Sequence, residues 1–278
     1  MTQRRRWMWA GAGLVSVLSV LGGGCASAVP TYPPMSAVDA LATIATRQAP
    51  LKTVSAECDI TLESADGERV RLDGALVAEW PGKIRLKAWK LGRGVLDVIR
   101  LSASEAWVEG PGEEAANRAS AAGARGRPPM EIGKAIAPLG VVLAAEGAEL
   151  YRRAVVASEN ADVLVLRVAT RDDAAVSAAE RALLDDGVFE LDRATLTFRR
   201  FRGRGDAAEV TAGAANPGVG AELVFSEYEL VEGIPWPRVI VLRQPGLGVI
   251  TIRSRGVEVN GELAEGAFTP PGRAKRAP

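Results

Sequence analysis

The chain has 278 residues, with 34 basic and 34 acidic side chains and therefore no formal net charge. It contains no histidine, which excludes Ser-His-Asp and Cys-His catalysis and histidine-ligated metal sites. The first 24 residues hold three arginines and no acid, so the rest carries 31 basic and 34 acidic side chains. The resulting net charge of −3 argues against a general nucleic-acid binder.

The first 24 residues are organised like a secretory signal peptide. Three arginines, Arg4 to Arg6, precede an apolar stretch from Trp7 to Leu21, and three glycines follow. A charged start, a short apolar core and small residues before a cleavage site are typical of such signals. The apolar stretch is shorter than the roughly 20 residues that a spanning helix needs. We therefore predict a signal peptide over residues 1–24.

Cys25 follows the glycines, and the sequence around it resembles the lipobox of bacterial lipoproteins. That family prefers an aliphatic residue three positions before the cysteine, where this chain has Gly22, with Leu21 one position further back. The resemblance implies a covalent lipid anchor at Cys25, and two or more acyl chains anchor a protein stably. Ala26, rather than aspartate, follows the cysteine. We therefore expect an exported protein, anchored in the periplasm at the outer membrane, with no other cofactor.

The segment after Cys25 is predicted to contain a tether and then one helix. Residues 25–35 contain prolines and show no periodicity, which is typical of a linker. Residues 36–48 are predicted to form a helix, because Ser36 can cap its first turn and the apolar residues recur at helical spacing. We assign residues 36–270 to one domain and residues 271–278 to a flexible tail. Since Cys58 is the one cysteine left after Cys25, no internal disulfide is expected.

From Val54 onward the apolar pattern has a period of two, which is typical of strands with one buried face. Turn signals such as Asp66-Gly67 separate consecutive segments. Residues 109–129 and 203–220 are predicted to be loops, and residues 130–145 and 172–184 short helices. We predict a mainly β, α+β fold, in which one large curved antiparallel sheet is covered by short helices. The predicted strands cover residues 54–62, 71–80, 83–88, 95–101, 106–108, 149–157, 162–170, 188–191, 194–201, 222–230, 238–243 and 249–254.

Several segments, in this order, resemble the LolA/LolB-like lipoprotein-sorting superfamily. They are Leu76–Leu86, Phe225–Tyr228, Gly233–Ile240, Val257–Asn260 and Phe268–Pro270. The resemblance implies an incomplete β-barrel closed by helices, with a concave face that holds acyl chains. LolB-like members are themselves lipoproteins, which matches an anchor at Cys25. It also implies a membrane and a lipid or lipoprotein cargo as partners; we expect a monomer.

Inward-facing apolar residues of the first strands are the candidates for a groove that holds acyl chains. The alternative is that they pack against the helices as an ordinary core. Cys58 shares their face and is predicted to behave as a small buried apolar residue. The basic outward stripe Lys83, Arg85 and Lys87 is either a headgroup contact or a solvated face. The candidate groove residues are Val54, Ala56, Ile60, Leu62, Leu72, Leu76, Ile84 and Leu86.

Three hypotheses for function follow from these observations. The first is a membrane-anchored lipoprotein that binds acyl chains of lipids or lipoproteins in an apolar groove. The second is a structural or partner-binding envelope lipoprotein without lipid cargo, its half-barrel filled by its own side chains. The third, an enzyme, is disfavoured because no pair of acidic residues has a spacing that indicates acid–base catalysis. No catalytic or metal-ligating residue is predicted.

Overall fold

The structure is a computed structural model that describes residues 29–80, 83–101, 106–109, 154–168, 187–204, 219–244, 248–270 and 275–276. The predicted signal peptide, Cys25 and the predicted helices over 130–145 and 172–184 lie outside these residues, as do most residues of the two predicted loops. The domain boundaries at residues 36 and 270 therefore stay a prediction.

The predicted first helix is confirmed as α1, Ala37–Gln48. The Ser36 hydroxyl oxygen accepts a hydrogen bond from the Asp39 backbone N–H at 3.2 Å, which satisfies one of the free donors of the first turn. Ala40 and Ile44 are buried on one face, as the helical spacing requires.

Thirteen strands form one antiparallel sheet within the described part of the chain. Their order in the sheet is β13-β5-β4-β3-β2-β1-β12-β11-β10-β9-β8-β7-β6. The strands are β1 (Thr53–Glu63), β2 (Arg69–Glu79), β3 (Lys83–Lys90), β4 (Arg93–Arg100), β5 (Ala106–Glu109), β6 (Ala154–Glu159), β7 (Val163–Val168), β8 (Val188–Asp192), β9 (Thr197–Arg204), β10 (Val219–Val231), β11 (Ile234–Gln244), β12 (Gly248–Val259) and β13 (Lys275–Arg276).

The sheet is curved but not closed into a barrel. Its edge strands β13 and β6 stand at opposite ends of the strand order and do not pair with each other. In a flat sheet, β1 and β8 would lie roughly 24 Å apart, since neighbouring strands are about 4.8 Å apart. In this structure helix α1 contacts both regions. It leads into β1 through a compact turn, in which the Leu51 N–H donates to the Gln48 carbonyl, and its Arg47 donates to the β8–β9 turn. The two parts of the sheet therefore lie closer together than in a flat sheet, and the sheet is curved. The predicted open, curved antiparallel sheet is confirmed.

One local prediction differs from the structure. The sequence predicts a turn over Gly92 to Gly94, but β4 already begins at Arg93, paired with Lys90. Leu91 and Gly92 have φ angles of 50° and 74°, and two such residues complete a hairpin turn. Within the segment predicted as the tail, Lys275 and Arg276 pair with β5 and form the edge strand β13. Unpaired backbone groups on an edge strand readily accept another strand.

The segment after β12 crosses the outer face of the first hairpins. The Arg85 guanidinium donates to both Asp97 carboxylate oxygens at 2.8 and 2.6 Å, and to the Ala267 carbonyl at 2.8 Å. The side chains of Arg85 and Asp97 are only 19% and 11% exposed. This ion pair therefore joins β3, β4 and the C-terminal segment at one largely dehydrated point.

We expect Arg85→Met or Asp97→Leu alone to lower the free energy of unfolding by about 3 kcal/mol, because each leaves an uncompensated charge with little access to water. The double variant should lose less than either single variant, since no unpaired charge remains. Urea unfolding of the four proteins measures this directly.

The Glu79–Lys83 pair is the matched control, with both side chains 40% exposed and an N–O distance of 2.7 Å. An exposed pair contributes about 0–1 kcal/mol, so Lys83→Met should change stability little. Equal losses for Lys83→Met and Arg85→Met would contradict the role given to the Arg85–Asp97 pair.

Candidate functional site: the concave apolar face

The structure places the candidate groove residues together on the concave face of the sheet. Seven of the eight are 0–6% exposed, and Leu62 is partly buried against them. They belong to one apolar cluster with α1 and with strands from the other half of the sheet. The seven fully buried residues are Val54, Ala56, Ile60, Leu72, Leu76, Ile84 and Leu86.

Strand pairing explains why these residues share one layer. Ala56, Leu76 and Leu86 lie opposite one another in register, and Val54, Ala78 and Ile84 form the next row. Because successive side chains of a strand point to opposite faces, every second residue of β1, β2 and β3 faces inward. The inward face predicted from the alternation is thus correct for these three strands.

A row of small residues crosses the concave face beside these rows. Cys58, Gly74 and Ala88 lie opposite one another on β1, β2 and β3. A methyl group at Gly74 would lie 2.4 Å from Ile60 Cδ1 and 2.9 Å from the Lys87 carbonyl oxygen. The Ile60 side chain therefore lies directly over Gly74, and the space above the small residues is filled at this point.

The other half of the concave face is aromatic, and the candidate residues did not include it. Phe189 and Phe201 lie opposite each other on β8 and β9, with ring centroids 4.7 Å apart. Phe198 approaches both Phe189 and Phe225, at 5.9 and 6.3 Å. The alternation of Phe189 and Leu191 with polar residues was the signal that could have identified this half.

Helix α1 covers the end of the concave face nearest the β8–β9 turn. Its buried side chains are Ala40 and Ile44. Arg47 holds it there, donating to the Thr195 carbonyl at 3.1 Å and also to the Leu196 carbonyl. The preceding segment joins the same turn through a hydrogen bond from the Tyr32 N–H to the Ala194 carbonyl at 2.7 Å.

Cys58 is fully buried and forms no disulfide. Burial raises the pKa of its thiol to about 11, because the thiolate would lose its hydration. A reactive cysteine needs exposure and a lowered pKa. The prediction that Cys58 behaves as a small buried apolar residue is therefore confirmed.

The basic stripe predicted on the outer face is largely neutralised. Lys83 pairs with Glu79 and Arg85 with Asp97, which leaves Lys87 exposed. Ion pairing with carboxylates removes most of the attraction that such a stripe would have for anionic headgroups. The structure thus favours the solvated-face alternative for this stripe.

The described residues contain no group of three or more cysteine and acidic side chains that could hold a metal ion. Across the same residues, no helix combines the length and apolar character needed to cross a membrane.

Three solved structures resemble this chain at low sequence identity. A DUF1329 family protein from Desulfovibrio piger has a TM-score of 0.51 and 12% identity, covering 84% of this chain and 98% of its own. A LolA superfamily protein from Nitrosomonas europaea has a TM-score of 0.49 and 10% identity, covering 85% and 99%. A putative outer membrane lipoprotein-sorting protein domain from Vibrio parahaemolyticus has a TM-score of 0.49 and 11% identity, covering 84% and 95%.

At such low sequence identity a structural match is evidence for a shared fold alone. The Desulfovibrio structure shares its fold with this chain. No protein-family model matches the sequence, and no curated protein matches it. What the concave face binds therefore has to be argued from its own residues.

The raised pKa of Cys58 predicts a loss of stability at alkaline pH. Above an ordinary thiol pKa of about 9, the unfolded chain releases this proton while the folded chain retains it up to about pH 11. Stability must then fall as the pH rises through this interval. At pH 10.5 the loss should approach about 2 kcal/mol, since each pKa unit corresponds to roughly 1.4 kcal/mol.

Comparing urea unfolding at pH 8 and pH 10.5 for the Cys25→Ala protein, with and without Cys58→Ala, isolates this contribution. Lysine and tyrosine titration is common to both proteins and cancels. An identical pH dependence in the two proteins would show that Cys58 is not dehydrated in the folded state.

We expect Gly74→Ala to destabilise the protein by about 1–3 kcal/mol, because the new methyl group would overlap Ile60 and the Lys87 carbonyl. Gly256→Ala is the control on β12, since nothing lies within 4 Å of its added methyl group. Thermal unfolding compares the two. A Gly74→Ala protein as stable as Gly256→Ala would mean that Ile60 does not rest on Gly74.

Proposed function

We propose that this protein is an exported lipoprotein, anchored through Cys25, that binds acyl chains of lipids or lipoproteins on the concave face of its open sheet. It acts by binding and not by catalysis, in the sorting of lipoproteins to the outer membrane. One observation carries the proposal: a continuous apolar layer covers the concave face, and a single short helix of the described residues, α1, packs on it through Ala40, Ile44 and the partly buried Ala37, Leu41 and Ala45.

The energetics of acyl transfer suit a protein without an energy source. Each buried methylene of an acyl chain contributes about 0.8 kcal/mol, whether it lies in a bilayer or in a dry protein groove. The transfer of the acyl chain itself is therefore close to balance, before any cost of exposing the groove. A protein of this kind needs an apolar surface of the right length and a way to expose it.

Access to the concave face requires α1 to move, because Ile60 and the helix fill it in this structure. The attachment of α1 is local: Arg47 is bonded to two carbonyls of the β8–β9 turn. Swinging α1 away from that turn would uncover the aromatic half of the face, where Phe189 and Phe201 lie. We propose that α1 is the movable cover of the binding site.

A second function is favoured by the same burial. If the concave face is permanently filled, the protein is a structural or partner-binding envelope lipoprotein without lipid cargo. The exposure of 0–6% for seven candidate groove residues supports this alternative. The two hypotheses differ in whether α1 opens.

The test uses the chain that follows the signal peptide, with Cys25→Ala so that its own lipid cannot occupy the site. It is titrated with a fluorescent apolar dye, which a triacylated lipopeptide then displaces. Arg47→Met should tighten dye binding, on the order of tenfold, because weaker attachment of α1 raises the population of the open state.

Thr46→Ala is the control, because its hydroxyl bonds only to the Ala42 carbonyl within α1. It should leave dye affinity unchanged. Absence of saturable dye and lipopeptide binding, in both the parent and Arg47→Met, would reject acyl-chain binding and leave the structural alternative.

A further inference from the structure

A pocket of about 670 Å³ lies on the outer face of the sheet, opposite the apolar layer. Its floor comes from outward-facing residues of β1, β2 and β12, including Thr61 and Arg71, which pair across the first hairpin. One wall comes from the β3–β4 hairpin, through Trp89 and Lys90. A bulge between Ala88 and Trp89 interrupts the pairing with β4, and bulges bend and twist the strands that carry them.

The acidic side chains of this pocket already have partners. Arg255 contacts Asp59 at 3.2 Å and Asp73 at 3.4 Å. Arg253, a cation of the pocket, forms two hydrogen bonds with Glu227, at 2.6 and 3.0 Å. Because Asp59 and Asp73 share one guanidinium while Arg253 and Glu227 balance, these residues together leave one negative charge at the pocket.

Three further cations of the pocket have no ion-pair partner among the described residues. Arg69, Arg71 and Lys90 line it, and none of them forms an ion pair or side-chain hydrogen bond with another described residue. Four basic and two acidic side chains line the pocket, a surplus of two positive charges in a chain whose part beyond residue 24 carries a net charge of −3. Mutual repulsion makes such a cluster unfavourable unless an anion occupies it. The cluster therefore indicates an anionic ligand.

The surroundings of the cations indicate which kind of anion. Leu91, at the hairpin tip beside Lys90, lines the pocket and is 92% exposed. Apolar side chains interleaved with lysine and arginine are typical of surfaces that lie in the headgroup region of a bilayer. Trp89 adds a partly buried indole, a side chain that is enriched at that depth.

We propose that this pocket binds the phosphate headgroup of an anionic membrane lipid. Arg69 and Arg71 supply planar guanidinium groups that can grip phosphate oxygens in pairs, and Lys90 adds a third charge from the hairpin. Leu91 enters the bilayer surface beside the bound headgroup. The inference stands apart from acyl-chain binding, because it concerns the opposite face of the sheet and requires no movement of α1.

The test uses the chain that follows the signal peptide, with Cys25→Ala, and measures the fraction of this protein that sediments with lipid vesicles. One set contains phosphatidylcholine alone and the other contains added phosphatidylglycerol. The parent should bind the second set and not the first. Arg69→Gln/Arg71→Gln/Lys90→Gln should bind on the order of a hundredfold more weakly, since each basic residue near an anionic surface contributes about fivefold.

The control carries the same change in net charge away from the pocket: Lys52→Gln/Lys87→Gln/Arg167→Gln. It should retain most of the parent's vesicle binding. Equal losses in both triple variants would overturn the proposal, because attraction would then follow net charge and not the pocket.

A second arm separates a lipid headgroup from a soluble phosphate. Glycerol phosphate is titrated into the parent while tryptophan fluorescence is followed. Competition by millimolar glycerol phosphate against phosphatidylglycerol vesicles supports the headgroup site. Saturable binding of glycerol phosphate without any vesicle binding would overturn the membrane assignment and leave a site for a soluble phosphate.

Discussion

The pairing of β1 with both β2 and β12 determines which side chains face the interior throughout the sheet. Every residue of β1 pairs with β2, and ten residues of β1 pair with β12. A slip of one residue would turn Val54, Ile60 and the buried Cys58 toward water, and turn Glu57 and Asp59 inward. Because the buried layer on one face is continuous with the layers of β11 and β3, this register is strongly specified. Both faces of the molecule depend on it.

An irregularity in that same pairing connects the two faces. Between Glu57 and Cys58 the register shifts by one residue, and Arg255 is the extra residue on β12. Its guanidinium reaches both Asp59 and Asp73 on the outer face. Without this bulge the two carboxylates would be free to neutralise the neighbouring arginines. The bulge therefore leaves the inner layer intact and places a cation beside both carboxylates of the outer pocket.

The elements that depend on local sequence could be predicted, and those that depend on long-range contacts could not. The cap at Ser36 and the alternation along β1 to β3 predicted α1, the hairpins and the inward face of this part of the sheet. The neutralisation of Arg85 could not be predicted, because Asp97 becomes its partner only through the register of β3 with β4. The filling of the concave face is also a tertiary property: nothing in the alternation indicates that Ile60 lies over Gly74. Only the groove residues of the first three strands were found. On β9 the extra residue Arg199 breaks the period of two between Phe198 and Phe201, where the aromatic half lies.

The filled concave face bears on where an acyl chain could come from. A chain of about 16 methylenes gains roughly 13 kcal/mol on leaving water for an apolar groove. Displacing α1 would expose Ile44, Ala40 and the partly buried Ala37, Leu41 and Ala45, at a cost of about 5 kcal/mol. It would also break the charged hydrogen bonds of Arg47, which contribute about 1.5–3 kcal/mol each. From water, the gain exceeds these losses. From a bilayer, the chain gains nothing by the transfer, and the displacement of α1 then opposes binding. An acyl-binding protein of this construction should therefore accept chains from a carrier, or from partly hydrated states, far more readily than it extracts them from a membrane.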